Sequence, residues 1–267
     1  MTTPTVRVEA DGPRGRITLD RPAKLNPLGT GTLLELVEAA AWFDARPEVK
    51  VVVVAGAGRA FTAGADLAGL DPSAARRPGE DGSGGAIGPR EAADAGRRMA
   101  DAIEAMGAVT VARIHGHCVG GGVVLAAACD LRVAADTIRF SIPEVDLGIP
   151  LAWGGIPRLV REIGPALTKE LVMTCRPFGA AEAQAAGFLN RVVPDDRLDE
   201  EVESLVAQLV DKSALTLTAT KRHTNAVTEG MVGTARSWND ADSLVTALHD
   251  PESREAAARY LERVRRR

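Results

Sequence analysis

Three glycines stand in a row within the segment HGHCVGGGVVLAAACD, residues 115–130, directly before an apolar run. The run predicts a helix of small residues, and a helix begins with backbone N–H groups that have no partner inside it. Because glycine lets a ligand come close to the backbone, the glycines at 120–122 favour an anion-binding site. Tight packing ahead of the helix is the alternative explanation of the same residues.

A second loop has a similar arrangement, in the segment FTAGADLAGL at residues 61–70. Ala63, Gly64 and Ala65 follow the end of a predicted strand, and Asp66 comes next, as a helix cap or a residue that fixes the loop. If the two loops converge, they present two N–H donors to a single oxygen. That geometry stabilises a developing enolate or a tetrahedral oxyanion. Neither loop has the spacing of a dinucleotide-binding or Walker motif.

An acidic residue, Glu144, follows a proline in the segment IPEVDLG. Pro143 biases Ile142 towards an extended conformation, which carries the chain into a loop. A single carboxyl group in an apolar pocket has a raised pKa and suits proton transfer, whereas capping a turn or pairing with an arginine are the structural alternatives. Asp146 would point to the same side in an extended segment. It is either a second acid or a hydrogen-bond partner of the turn at 147–148.

The composition excludes several classes of function. The 267 residues are 45% hydrophobic and 25% charged, which fits one large domain or a core with a smaller appendage. A net charge of −4 and an aromatic content of 3% give no reason to expect nucleic acid as a partner. No apolar run is long enough to span a membrane, and no secretory signal is recognisable. The three cysteines favour a reducing, cytoplasmic compartment over a disulfide framework.

A short H-x-H-C cluster is formed by His115, His117 and Cys118. These are possible zinc ligands, but no second cluster in the sequence supplies the remaining ligands. We therefore expect hydrogen bonds within a turn and packing at these positions, and no metal site.

Strands and helices alternate in the first half of the chain. VRVEADGPRGRITLDRP predicts two strands joined by a turn, and VKVVVVAG, AVTVARI and DLRVAA predict three more. Helices are predicted for GTLLELVEAAAWFDA and near residues 91–107, and a loop for residues 71–90. The alternation favours an α/β fold with a largely parallel sheet.

The pattern changes in the second half of the chain. From Trp153 onward the sequence predicts helices, interrupted by one short strand in NRVVP. We place a boundary near residue 195, between a core at residues 1–195 and a helical region at residues 196–267.

Five motifs occur in an order that identifies a family resemblance. They are DRPAKLNPL (20–28), VVVVAGAGRAFTAGADL (51–67), GHCVGGGVVLAAACDLRVAA (116–135), FSIPEVDLGIPLAWGGIPRL (140–159) and AAEAQAAGFLNRVVP (180–194). Over nearly the whole chain the sequence resembles the crotonase superfamily, the enoyl-CoA hydratase/isomerase family. The resemblance implies a spiral of ββα units with a helical C-terminal region that forms a homotrimer or a dimer of trimers. It also implies an acyl-CoA thioester as substrate, with coenzyme A as part of it and no separate cofactor.

The resemblance assigns roles to individual residues. The amides of Ala65 and Gly121 would form the oxyanion hole for the thioester oxygen. The coenzyme A moiety would lie along the following residues: Lys24, Leu25, Ala63, Asp66, Leu67 and Ala68. The basic segments TKRH (220–223) and RYLERVRRR at the C-terminus contact its phosphates or form a solvated helix face.

Val124 decides which reaction the resemblance favours. Hydratases of this family hold water between two glutamates, and the first of these corresponds to Val124, while the second is Glu144. The additional aspartate of the dienoyl isomerases would fall near Ala152. The Δ3,Δ2-enoyl-CoA isomerases use one carboxylate, so double-bond isomerisation is the favoured function. Hydration of 2-enoyl-CoA, as in fatty-acid β-oxidation, and acyl-CoA binding with weak catalysis are the alternatives.

Trp153 is a further departure from the family pattern. Hydratases of this family usually have small residues at positions 152–153, whereas this chain has an indole. The ring either shapes the acyl pocket together with Val124 or belongs to the core.

Overall fold

The computed structural model describes residues 4–66, 88–237 and 239–266. Its strands form a six-stranded sheet, in the order β1-β2-β3-β4-β6-β9, and a three-stranded sheet, β5-β7-β8. The strands are β1 (Val6–Asp11), β2 (Arg14–Leu19), β3 (Val51–Gly56), β4 (Val109–Ile114), β5 (His117–Val119), β6 (Leu131–Ala135), β7 (Arg139–Ser141), β8 (Phe178–Gly179) and β9 (Arg191–Val193). In the large sheet only the β1–β2 pair is antiparallel.

The helices of the described residues cover both faces of the large sheet. They are α1 (Thr30–Asp44), α2 (Pro89–Ala105), α3 (Gly121–Ala128), α4 (Gly155–Thr174), α5 (Ala180–Ala185), α6 (Leu198–Val210), α7 (Ala214–Met231), α8 (Asp240–His249) and α9 (Pro251–Arg265). α4 is interrupted at Gly164, whose φ of +74° is not helical. The predicted α/β class and the largely parallel sheet are confirmed. No described helix has the length and hydropathy needed to cross a membrane.

The β3 strand shows why its sequence is a continuous apolar run. All six of its residues are buried. Val52 and Val54 belong to the main core, whereas Val51 and Val53 pack in a second core with Leu198 and its neighbours on α6. A strand that is buried on both faces has no polar side to present, so it lacks the alternation of a half-exposed strand.

The three-stranded sheet was not predicted from the residue pattern. Its strands β5, β7 and β8 contain three, three and two residues. Such short strands show no measurable alternation of apolar and polar residues. The sheet brings the segment before α3 beside the segment that leads to Glu144, because Cys118 pairs with Phe140.

The C-terminal helices pack on the rest of the same chain. Lys221 of α7 is buried, and its ammonium group lies 2.8 Å from the carboxylate of Asp130. It also donates to the carbonyl of Ala108, at 2.9 Å. Both expectations for TKRH are therefore wrong at this lysine, which anchors α7 to the core. The division at residue 195 stays a prediction, and α6 begins just beyond it at Leu198.

Candidate active site

The two glycine-containing loops lie side by side, as the sequence predicted. The Thr62 amide donates to the His117 carbonyl at 3.1 Å, and the Val119 amide donates to the Thr62 carbonyl at 3.2 Å. Gly64 has a φ of +85°, and a Cβ at this position would lie 2.5 Å from the Val119 carbonyl oxygen. Glycine is therefore required here both for the backbone conformation and for the contact between the loops.

In the first loop, the backbone N–H of Ala65 points away from the segment that contains Leu28. The amide of Leu28 donates to the Gly64 carbonyl at 2.8 Å, and the carbonyl of Leu28 accepts from the Asp66 amide at 3.2 Å. These bonds make a parallel bridge in which Ala65 lies opposite Leu28. The residues on either side of Ala65 make the bonds, so its own N–H points to the opposite side.

The second loop leads into α3, which begins at Gly121. The Gly121 amide belongs to the first turn of the helix, where N–H groups have no partner within the helix and the helix dipole is positive. Gly120 precedes it with a φ of +51°, and a Cβ there would lie 2.2 Å from Oε1 of Glu144. A side chain at position 120 would therefore displace the carboxylate.

Ala65, Gly121 and Glu144 line one cavity of about 60 Å³, here called the Glu144 cavity. Among the described residues that line it, Glu144 is the one ionisable group. The remaining surface is mostly hydrocarbon. The structure therefore brings together the predicted acid and both predicted oxyanion amides.

The Glu144 carboxyl group is buried in the wall of this cavity. The residue is 8% exposed, and its Oε2 atom is buried with no hydrogen-bond partner among the described residues. Burial in this apolar surrounding raises its pKa to about 7, because a charge is poorly solvated there. Among the ion pairs of the described residues, none joins an arginine to Glu144, so the alternative of an arginine pair is not observed in this part of the chain.

Asp146 does not reach the cavity. The amides of Leu147 and Ile149 donate to the carbonyls of Pro143 and Glu144, both at 3.0 Å, so the segment is a turn. Residues two apart in a turn do not share a side, and the prediction of an extended segment was wrong.

The Asp146 side chain is instead exposed, and it accepts a hydrogen bond from Arg263 of α9 at 2.6 Å. It is neither a second acid nor a local partner of the following turn.

The inner wall of the Glu144 cavity is apolar. Val124 lies on α3 one turn after Gly121 and is fully buried. Leu151 and Ala152 are 5% and 7% exposed, and Leu244 of α8 completes the wall. The two positions at which the family resemblance would place further acids therefore face the cavity as hydrocarbon.

Trp153 forms another part of that wall. Its indole ring lies between two glycines, Gly96 of α2 and Gly121, and a Cβ on either one would lie 2.0 Å from the ring. Its φ of +63° is unusual for a residue with a large side chain. The ring is half-buried and lines the cavity. Trp153 therefore contacts the candidate site and also packs against the two helices.

The segment proposed to hold coenzyme A lies next to the first loop. Lys24 is exposed at the end of a 3₁₀ turn (Pro22–Lys24), and Leu25 follows with a φ of +59°. The amide of Ala63 donates to the Leu25 carbonyl at 2.8 Å. Asp66 accepts from Arg21 at 3.2 Å, which fixes the end of the loop.

Leu67, Ala68 and residues 71–87 of the predicted loop lie outside the described residues.

Three residues that organise the site were missed from the sequence. Asn26 is buried and donates to the carbonyls of Ala57 and Ala60, both at 2.9 Å. Arg158 is fully buried behind Trp153, and Leu244 comes from a helix far along the chain. The φ of +55° at Asn26 is typical of asparagine, and its position in DRPAKLNPL was the one available signal.

The H-x-H-C cluster is used for packing and turn contacts. Nε2 of His115 lies 2.7 Å from the Gly58 carbonyl, and Nδ1 lies 2.8 Å from Arg113. Burial lowers the pKa of His115, and Cys118 is completely buried. Within the described residues, no group of three or more His, Cys, Asp or Glu side chains could hold a metal ion.

Comparisons with known proteins agree with this arrangement. The family model described as enoyl-CoA hydratase/isomerase matches residues 15–267. A probable enoyl-CoA hydratase of Mycobacterium bovis is 34% identical over 90% of this chain and 91% of that protein. The peroxisomal Delta(3,5)-Delta(2,4)-dienoyl-CoA isomerase of Arabidopsis thaliana is 31% identical over 94% of this chain and 93% of that protein. The crystal structure of an enoyl-CoA hydratase from Mycobacterium avium subsp. paratuberculosis K-10 superimposes with a TM-score of 0.83 and 26% identity, covering 97% and 99% of the two chains.

Proposed function

Because the chain belongs to the enoyl-CoA hydratase/isomerase family, whose members act on acyl-CoA thioesters, we propose that it shifts a double bond along an enoyl-CoA chain. Glu144 serves as the single acid and base of this reaction. The observation that carries the proposal is the carboxyl group itself, which is buried next to two candidate oxyanion amides, with its Oε2 unpartnered among the described residues.

The pKa of Glu144 suits both halves of a proton transfer. With a pKa of about 7 the group is ionised in a large fraction of molecules at neutral pH, so it can accept a proton. It is also basic enough to hold that proton until it is returned to the substrate. An exposed glutamate, with its lower pKa, would be a weaker base at the same pH.

The reaction is an isomerisation, so the substrate and the product contain the same atoms. The thioester oxygen of a 3-enoyl-CoA accepts hydrogen bonds from the amides of Ala65 and Gly121. Glu144 removes a proton from C2, and the electrons move towards that oxygen to give a dienolate. The positive end of α3 and the two amides stabilise the negative charge. The carboxyl group then returns the proton to C4, which leaves the conjugated 2-enoyl thioester.

Hydration is the second candidate, supported by the similarity to the probable enoyl-CoA hydratase of Mycobacterium bovis. A hydratase has to hold a water molecule against the double bond, and Glu144 is the only ionisable group among the described residues of the cavity. Val124 cannot hydrogen-bond to water. We therefore expect hydration to be slow, since a water without a second partner is poorly oriented. Binding of acyl-CoA with weak catalysis is the third possibility.

The remaining features of the proposal rest on the family resemblance, for the ligand and the oligomer, and on the composition, for the compartment and the excluded partners. Coenzyme A arrives as part of the substrate and lies along Lys24, Leu25 and the loop that begins at Ala63, and no separate cofactor is required. The protein works in the cytoplasm as a homotrimer or a dimer of trimers, without nucleic acid or membrane as a partner.

A paired assay on the purified protein tests the reaction. In one arm a 3-enoyl-CoA is supplied and formation of the conjugated 2-enoyl thioester is followed by absorbance. In the other arm a 2-enoyl-CoA is supplied and loss of that absorbance is followed. We expect conversion in the first arm, reduced roughly 100- to 10,000-fold in Glu144→Gln, because the amide cannot accept the proton.

Three other results would change the assignment. Rapid loss of absorbance in the second arm would make the protein a hydratase and would mean that another group holds the water. Tight binding of acyl-CoA without turnover in either arm would support the binding-only function. Turnover that survives in Glu144→Gln would remove this residue from the mechanism.

A further inference from the structure

We propose that Trp153 limits this enzyme to short acyl groups, of about six carbons or fewer, by occupying the space into which a longer chain would extend. The inference deepens the proposed function and rests on it in one respect, because it takes an acyl-CoA thioester as the ligand. It does not depend on which reaction follows binding.

The position of the indole carries the proposal. Its ring fills the gap between α2 and the beginning of α3, where it contacts the glycines at 96 and 121. Both glycines are needed for this placement, because a Cβ on either would lie 2.0 Å from the ring. The ring therefore stands directly beside the proposed thioester site at Gly121. Without the ring, the Glu144 cavity would extend between the two helices.

The size of the Glu144 cavity agrees with a short chain. The cavity is about 60 Å³, less than half of the roughly 150 Å³ cavity that holds a benzene molecule in an engineered protein core. The walls formed by Val124, Leu151 and Ala152 are buried side chains of the core. Their hydrocarbon surface also gives no hydrogen-bond partner to a hydroxyl or a second carboxylate, so the favoured acyl group is a plain hydrocarbon.

The backbone that carries the indole is held from two sides. Arg158 donates to the carbonyls of Trp153 and Gly154, at 3.5 and 3.3 Å. Asp240 at the beginning of α8 accepts from the Gly154 amide at 2.8 Å. Because both partners belong to helices, the turn cannot retreat easily to make room for a longer chain.

The test measures binding, so that it is independent of turnover. Calorimetry with saturated acyl-CoA thioesters of 4, 6, 8, 10 and 12 carbons, and with free coenzyme A, compares the wild type with Trp153→Gly. Glycine removes the ring and adopts a φ of +63° without strain. Trp42→Ala is the matched control, because it removes a half-buried indole on a different helix, α1, where the ring packs on Phe43 and on Arg46 just beyond the helix.

We expect the affinity of the wild type to stop rising at about six carbons. In Trp153→Gly each further methylene should add about fourfold in affinity until the new space is filled. Decanoyl-CoA should then bind at least tenfold more tightly than to the wild type, while butyryl-CoA changes by less than about threefold. Trp42→Ala should keep the wild-type profile. If the glycine variant does not fold, Trp153→Phe takes its place as a smaller change. This variant should move the chain length at which affinity stops rising by one or two carbons.

The failure of this inference differs from the failure of the proposed function. If the wild type binds the 12-carbon thioester as tightly as the 6-carbon one, or if removing the ring leaves the profile unchanged, the role of Trp153 is wrong. If no acyl-CoA binds more tightly than free coenzyme A, both proposals are wrong. If the profile shifts but neither arm of the enzyme assay shows turnover, the inference about Trp153 stands and only the reaction is wrong.

Discussion

Two buried ionisable side chains in this protein, Glu144 and Arg158, differ in whether an oppositely charged group pairs with them. Arg158 is fully buried, and it donates to the carboxylate of Asp101 at 2.9 Å and to that of Glu104. Its charge is neutralised by two carboxylates, although its Nε has no partner within the described residues. Glu144 is also buried, but within the described residues no cation pairs with it and its Oε2 accepts no hydrogen bond.

The difference separates a structural charge from a reactive one. A buried charge that is paired by opposite charges holds its neighbours in place. A buried carboxyl group without a partner has a raised pKa, because only protonation relieves the cost of burial. The two residues act on one site, since Arg158 holds the turn at Trp153 and Glu144 faces the same cavity.

The largest effect on stability is expected from Arg158→Met. Removing the guanidinium leaves the carboxylates of Asp101 and Glu104 partly buried without this partner. We expect a loss of about 3–5 kcal/mol in the free energy of unfolding, measured by urea denaturation. Arg90→Ala is the control, because it breaks an exposed pair with Asp242 and should have a far smaller effect. Equal effects of the two variants would show that burial of Arg158 is not what makes its pairs important.

A smaller effect is expected from the titration of Glu144. The pKa rises from an ordinary value of 4.5 to about 7 on folding, so between these pH values the folded protein binds the proton more tightly than the unfolded chain. The carboxyl group therefore contributes stability at low pH that is lost as the pH rises through 7. Between pH 5 and 8 the wild type should lose roughly 2–3 kcal/mol relative to Glu144→Gln.

Denaturation curves of the two proteins at several pH values measure that difference. A difference that is constant from pH 5 to 8 would show that the pKa of Glu144 is not raised. If the wild type instead becomes more stable relative to Glu144→Gln as the pH rises, the pKa of Glu144 is lowered on folding and not raised.

The smallest effect is expected from Asp146→Asn. This carboxylate lies two residues from Glu144, but it is exposed and paired with Arg263. We expect turnover within twofold of the wild type and a stability change below about 1 kcal/mol, as is usual for exposed ion pairs. A loss of activity comparable to that of Glu144→Gln would mean that Asp146 acts on the substrate after all.

Much of the fold follows from local patterns along the chain. The continuous β-branched run at Val51–Gly56 predicts a strand buried on both faces. The apolar spacing before Asp44 predicts α1, because it repeats with the period of a helix. The glycines at 120–122 and the loop at 63–65 predict two exposed amides, since glycine marks where the backbone must be approached. The sheet of β5, β7 and β8 could not be predicted, because its strands are too short to repeat any pattern.

The sequence by itself determined the types of residue at the site, namely one acid, two candidate amides and a hydrocarbon at Val124. Only the tertiary structure decided that Glu144 has no partner and that Asp146 has one, because ion pairs such as that between Asp146 and Arg263 join residues distant in the chain. The same holds for Trp153, whose ring is placed by Gly96 and by Arg158. Burial and pairing depend on what packs against a residue, and that is a property of the folded chain.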